Sequence, residues 1–275
     1  MPQSGLSIST NGTAYRLHGP RDRPVIILVH GLGLTLDTWR GHIEALSAHY
    51  CVLSFDLYGH GSSAAPPQTP SVSLFARQVR DLMDELSITQ ATIVGFSLGG
   101  MINRRFAMDY PDRVVALVVL NSPHERGEEE QRRVEQRATD TTAGGPAATL
   151  DAAIERWFTP QYRQSNPQHI KEISTWILAN DADIYAQCRY VLARGVVELI
   201  RPEPAITHPT LVMTCEFDTG STPQMSEAIA HEIEGAQLQI IAALKHMGLV
   251  EQPDLFFRPV LAFLETVYGD ASDQY

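Results

Sequence analysis

A serine, a histidine and an aspartate, far apart along the chain, carry the first chemical signal. Ser97 lies in GFSLG, between Gly95 and Gly99, with Gly100 next. A β-type run, TIV, enters this stretch and helical periodicity leaves it. In that context G-x-S-x-G puts a serine oxygen on a sharp strand-to-helix corner. Such a corner strains the serine backbone and crowds it against neighbouring chain, so glycine two positions either side avoids Cβ clashes. The helix N-terminus beside the serine offers free N–H groups and a dipole to developing negative charge. The chemistry this suits is nucleophilic attack on an acyl carbon.

A serine hydroxyl is a poor nucleophile until a base takes its proton. In a strand–turn–helix architecture the expected order is serine, acid, histidine. Five histidines follow Ser97: His124, His169, His208, His231 and His246. Only His246, in ALKHMGLVEQPDLF, falls in a loop after a late strand and before the last helix. For the acid, LVMTCEFDTGSTP places Asp218 just past the end of a strand; Glu216, nearer the strand, is the rival. Asp218 would hold the His246 tautomer and stabilise the imidazolium without taking the proton.

An oxyanion needs two preorganised N–H donors. The backbone of Leu98, directly after the serine, supplies one. The loop HGLGLTLDTW after Val25–Val29 supplies the other through Leu32, with Gly31 and Gly33 permitting close approach. His30 is expected as a structural hydrogen-bonding group beneath the loop, and His60, in the tight turn Asp56–Ser63 after a strand, is not expected to be catalytic.

The elements that position these residues follow from hydrophobic periodicity. Leu6–Thr10 and Ala14–His18 flank Asn11–Gly12, a hairpin signal. Val25–Val29, Cys51–Phe55, Thr92–Val94 and Val114–Leu120 are apolar runs typical of strands covered on both faces. Between them, Thr38–Ala48, Ser73–Leu86 and Leu98–Asp109 have helical spacing, so the pattern is a parallel sheet of right-handed βαβ units. The rhythm stops from His124 to Arg201. That stretch reads as helices only: Glu128–Thr139, Leu150–Phe158, Gln168–Ala179 and Asp183–Leu192, with a flexible joint at 141–148. Strand and helix resume with Thr210–Cys215, Gln224–Glu232, Gln237–Ile241 and Asp254–Val267. One α/β domain interrupted by a helical insertion is the expected organisation.

At 275 residues and a net charge of -11, the chain is large enough for one sizeable core. Its charge argues against nucleic acid or an anionic membrane as main partner. Cys51, Cys188 and Cys215 lack metal-site spacing and read as buried thiols in a reducing compartment. The N-terminus lacks a secretory pattern, and a cytoplasmic location is expected. No phosphate-binding loop, dinucleotide fingerprint or zinc-binding H-E-x-x-H occurs. No cofactor or metal is expected.

Taken together, His30-Gly31-Leu32-Gly33, Asp56 with Gly59-His60-Gly61-Ser63, Gly95 to Gly100, Asp218, and His246 ahead of Glu251 and Pro253 resemble the α/β-hydrolase superfamily. The resemblance implies an eight-stranded, mostly parallel sheet with helices on both faces and a helical cap after the sixth strand. The core would be 1–123 and 204–275, the cap 124–203. Within the superfamily, GFSLGGMINRRFAMDYPDRVVALVVLNS and the segments AAIERWFTP and YAQCRYV are similar to 3-oxoadipate enol-lactonases and related carboxylesterases. That implies a serine hydrolase of a small ester or lactone. Trp157, Phe158, Trp176 and Tyr190 are apolar pocket candidates, and Arg133, Arg156 and Arg189 are candidates to clamp a substrate carboxylate. Hydrolysis of carbon–carbon bonds in ring-cleavage diketones and a catalytically silent ligand receptor remain alternatives, and a homodimer is an open assembly state.

Overall fold

The computed structural model describes residues 5–140 and 144–269. Eight strands form one sheet: β1 (Ser7–Ile8), β2 (Ala14–His18), β3 (Val25–Val29), β4 (Cys51–Phe55), β5 (Ala91–Phe96), β6 (Val114–Leu120), β7 (Thr210–Cys215) and β8 (Gln237–Ile241). Their spatial order is β1-β2-β4-β3-β5-β6-β7-β8. The pairs from β4 across to β8 are parallel, while β1 and β2 are antiparallel. The apolar runs predicted as two-sided strands are buried: β4, β5 and β7 throughout, β3 and β6 nearly so. The edge strand β8 is more open, with Leu238 and Ile240 exposed.

Three helices follow the first parallel strands: α1 (Arg40–Ser47), α2 (Val72–Glu85) and α3 (Leu98–Asp109). Five more, α4 (Glu128–Asp140), α5 (Leu150–Trp157), α6 (Pro160–Ser165), α7 (Pro167–Leu178) and α8 (Ala182–Arg194), lie between β6 and β7. α9 (Pro223–Glu232), α10 (Gly248–Glu251) and α11 (Asp254–Tyr268) complete the chain. The helix expected from Thr38 instead opens with a 3-10 turn over Leu36–Trp39, because Thr35 caps the N–H of Asp37. α6 and α10 are too short for their periodicity to stand out. The flexible joint expected at 141–148 is described only from Gly144 onward, where a 3-10 turn (Pro146–Thr149) buries Gly145 and Pro146. No helix of the described residues is long and apolar enough to cross a membrane.

Parallel strands send their carboxyl ends to one rim of the sheet, where ligands collect in open α/β sheets. The loops after β3, β5, β6 and β7 therefore meet there, and the loop after β8 joins them.

Candidate active site

Ser97 joins β5 to α3 with φ 55° and ψ −112°, a backbone state that costs a non-glycine residue about 1–3 kcal/mol. The surroundings leave it no alternative. A Cβ on Gly95 would stand 2.1 Å from the carbonyl oxygen of Gly99, and one on Gly99 would stand 2.1 Å from that of Val29. The corner is pinned by Ser97 N–H donating to Leu120 O at 2.8 Å, and Ser97 O accepts from the Ser122 hydroxyl at 3.0 Å. Ser97 itself is buried, at 7% exposed.

His246 lies in the turn between β8 and α10, with its ring centroid 4.9 Å from that of Phe96, the residue before Ser97. Its Nδ1 is 2.6 Å from Oδ2 of Asp218. Asp218 follows β7 and is buried. Its Oδ1 accepts the backbone N–H groups of Gly220 and Ser221, both at 2.9 Å, and its Oδ2 also accepts from Nδ2 of Asn121 at 2.9 Å. Burial alone would raise the pKa of this carboxyl. The imidazole of His246 and the donors from Asn121 and Ser221 outweigh it and hold the group below the usual carboxylate range. An ionised Asp218 requires the proton on Nδ1 of His246, leaving Nε2 as a lone-pair acceptor.

The loop after β3 turns at Gly31–Leu34, closed by Leu34 N–H to Gly31 O at 3.3 Å. Gly33 occupies the third turn position at φ +75°, the left-handed state that a type II turn demands there. Leu98, first residue of α3, has an N–H beyond the reach of intrahelical bonding. Neither this N–H nor that of Leu32 has a hydrogen-bond partner among the described residues. A Cβ on Gly31 would approach Cβ of Ser97 at 3.1 Å, so the two loops are in contact.

His30 and Asp56 brace this turn from below. The Leu57 N–H donates to Nε2 of His30 at 3.0 Å, so Nδ1 carries the proton and donates to Gly31 O at 2.8 Å. Burial draws its pKa down to about 4, and the ring is a neutral strut. Asp56 accepts from Leu36 N–H at 2.7 Å and from Ser62 N–H at 2.8 Å. His60 is buried beneath, with Nδ1 3.0 Å from Tyr58 O.

The inserted helices close over this rim. The ring of Trp157, at the end of α5, is 5.9 Å from that of His246. Met247 N–H donates to Trp157 O at 2.9 Å, Lys245 Nζ donates to Glu155 O at 2.9 Å, and Glu251 accepts both the N–H and the hydroxyl of Thr159 at 2.7 Å. On the other side, a Cβ on Gly33 would meet Cε2 of Tyr185 on α8 at 2.9 Å and Ile177 on α7 at 3.6 Å.

A family model described as the α/β-hydrolase fold matches residues 24–141. A 3-oxoadipate enol-lactonase from Acinetobacter baylyi is 30% identical over 91% of this chain and 92% of its own. The chain belongs to the α/β-hydrolase family. A second relative from Acinetobacter baylyi, an (E)-2-((N-methylformamido)methylene)succinate hydrolase, is 27% identical over 95% of this chain and 97% of its own. The crystal structure of an enol-lactonase from Burkholderia xenovorans superposes with a TM-score of 0.85 at 30% identity, covering 94% of this chain and 99% of that one. This α/β-hydrolase thus has the eight-stranded, mostly parallel sheet that its sequence implied, and it is a hydrolase.

The rival acid of this α/β-hydrolase, Glu216, is exposed and accepts from Ala243 N–H at 2.9 Å. Of the other histidines, His124 meets Glu232 on α9, His169 meets the Tyr162 hydroxyl and His208 meets Pro111 O. Among the expected pocket residues, Trp157 reaches the histidine loop. Phe158 is fully buried and stacks on Tyr162 with centroids 5.5 Å apart. Arg133 lies on the outer face of α4, paired with Glu129 and Glu130. Tyr190 is 45% exposed, and Trp176 lines a cleft of about 320 Å³ with His169, Val250 and Pro253. Asn121, Lys245 and Glu251 were missed as contributors. For Asn121 a signal existed: it follows a buried strand and adopts φ 45°, a left-handed state that asparagine tolerates better than most residues.

Proposed function

We propose that this α/β-hydrolase cleaves a small carboxylic ester or enol-lactone through an acyl-enzyme on Ser97. The observation that carries the reading is the 2.6 Å pairing of His246 with a buried, fully hydrogen-bonded Asp218, beside the ring preceding the strained Ser97. Two full-length relatives above support it, one named as a 3-oxoadipate enol-lactonase and the other as a hydrolase of a substituted succinate.

Asp218 fixes the proton on Nδ1, so Nε2 of His246 takes the Ser97 proton as the oxygen attacks the carbonyl. The N–H groups of Leu32 and Leu98 receive the oxyanion, and losing either would cost roughly 3–4 kcal/mol of transition-state stabilisation. The imidazolium then protonates the departing alkoxide or enolate. Water, deprotonated by the same Nε2, attacks the acyl-enzyme and restores Ser97. Residues 124–203 act as a cap over a core of 1–123 and 204–275, and Trp157 forms an apolar wall beside the base. The three cysteines are buried and free, which fits a cytoplasmic enzyme.

Hydrolysis of short-chain p-nitrophenyl esters by the wild type and Ser97→Ala tests this directly. Turnover is expected only in the wild type; equal rates in the two proteins would remove the reading.

A further inference from the structure

The second glycine after Leu98, Gly100, has a use that the strand-to-helix corner alone does not explain. A Cβ there would stand 2.6 Å from Cβ of Ser122 and 2.8 Å from its Oγ. Its absence lets the loop after β6 lie directly on the first turn of α3. In that contact the Ser122 hydroxyl donates to Ser97 O at 3.0 Å, and the Gly100 N–H donates to the same oxygen at 3.0 Å.

Behind Ser122 stands a cation. Arg104, on α3, is 2% exposed. Its Nη2 donates to Ser122 Oγ at 3.2 Å and to Pro123 O at 2.8 Å, and its Nε donates to Gly100 O at 2.9 Å. All three acceptors are neutral oxygens. Burial draws its pKa down to about 10, so the guanidinium remains charged at neutral pH. A cation this deeply buried is costly unless its hydrogen bonds are met.

The direction of each bond is forced. A guanidinium has no acceptor and a carbonyl oxygen has no proton. Ser122 therefore receives from Arg104 and gives to Ser97 O, and the chain cannot run the other way. Its end point bears on the reaction. The carbonyl of Ser97 and the N–H of Leu98 belong to one planar, trans peptide unit, in which the two groups point in opposite directions. Donors that fix the oxygen on one side thus aim the N–H on the other. They also strengthen it as a donor, because hydrogen bonds in series polarise one another, most of all in a buried setting. The Leu98 N–H is free of other partners among the described residues.

We propose that Arg104 and Ser122 are positioning residues for the reaction: a buried cation acts through a serine hydroxyl and the Ser97–Leu98 peptide to orient and polarise the oxyanion donor. This rests on the hydrolase reading above and adds residues that reading does not use.

The experiment pairs turnover of p-nitrophenyl butyrate with binding of 1,1,1-trifluorohexan-2-one. Ser97 adds to the carbonyl carbon of that ketone, its proton passes to His246, and the ketone oxygen becomes an anion at the oxyanion donors. Losing such a donor outright costs about 10²- to 10³-fold in kcat. Here the donor stays but loses its backing, so Ser122→Ala should lower kcat about tenfold and leave KM within about twofold. The Ki of the ketone should rise by the same factor as kcat falls, since both report the bound oxyanion. Arg104→Met should behave likewise, and Arg104→Lys, which keeps the charge, should recover part of the loss. The acid limb of the kcat–pH profile should not move, because the chain of bonds ends on Leu98 and not on His246.

A lower Tm in Ser122→Ala with kcat and Ki unchanged would overturn the proposal. So would a fall in kcat without a matching rise in Ki, or a shifted acid limb, since either would trace the defect to the base. If Arg104→Met does not fold, Ser122→Ala decides the matter alone. A wild type that binds the ketone without turning over the ester, with weaker binding in the variants, would sink the hydrolase reading and leave the relay standing. Turnover without ketone binding would sink the relay alone, and neither turnover nor binding would sink both.

Discussion

Replacing Asp218 with asparagine changes one atom, and the hydrogen bonds around it dictate the outcome. Oδ1 receives two backbone N–H groups, from Gly220 and Ser221, so the asparagine oxygen must stay on that side. The new NH2 then takes the place of Oδ2, facing Nδ1 of His246 and Nδ2 of Asn121. As a donor it can satisfy His246 only if Nδ1 gives up its proton, which moves that proton to Nε2. The lone pair required by Ser97 disappears. Turnover should fall about 10⁴-fold, equivalent to about 5.5 kcal/mol in barrier. The donor–donor contact with Asn121 should cost a further 1–3 kcal/mol or so of stability. Steady-state hydrolysis of a p-nitrophenyl ester, alongside far-UV circular dichroism to verify the fold, measures both. A folded Asp218→Asn protein retaining more than a tenth of the wild-type kcat would refute the assignment of tautomer and base.

Ser97→Gly should be inactive yet more stable by about 1 kcal/mol, since glycine adopts the strained corner freely; a lower Tm than wild type would contradict the strain argument. Gly33→Ala puts a Cβ against Tyr185 at φ +75°. By displacing the Leu32 N–H it should reduce kcat by about 10²- to 10³-fold, and an unchanged kcat would place the second oxyanion donor elsewhere. The acid limb of stability should follow the buried histidines: burial draws His30 and His42 down to about 4 and His60 to about 3. Their unfolded pKa is about 6.5, so below that pH the unfolded chain binds protons that the native state refuses. Stability is therefore full above about 6.5 and declines toward 4, each histidine contributing about 1.4 kcal/mol per pH unit. Both ring nitrogens of His42 are unpartnered, and its ring packs edge-on against Trp39 and Phe257. His42→Phe should flatten the decline in denaturant midpoints between pH 6.5 and 5, and an identical slope would show that His42 does not contribute to it.

Long, strongly patterned elements were legible in the sequence. Val25–Val29, Cys51–Phe55 and Val114–Leu120 are strands with the expected bounds, and Leu98–Asp109 is a helix with the expected bounds, because each carries its own period and a glycine or turn residue at its end. Ser97, Asp218 and His246 were legible for a related reason: each follows a readable strand. Contacts made across the chain were not. Asn121 reaches Asp218 over 97 positions, and Glu251 reaches Thr159 over 92. Such partners have no local period to mark them. The pocket candidates divided for the same reason. Arg133 and Trp157 both lie on helices in sequence, and only the packing separates an arginine paired with Glu129 and Glu130 from a ring set beside His246.

The bonds from Lys245, Met247 and Glu251 to Glu155, Trp157 and Thr159 have a bearing on chimeras. They make the loop of His246 and the end of α5 one mechanical piece, although some ninety residues separate them. Grafting the inserted helices of a homologue between residues 124 and 203 alone would pair a foreign α5 with the native histidine loop and break up that piece. A graft that takes residues 245–251 from the same parent as 150–160 keeps it whole, so swaps of specificity in this scaffold call for two crossover segments instead of one.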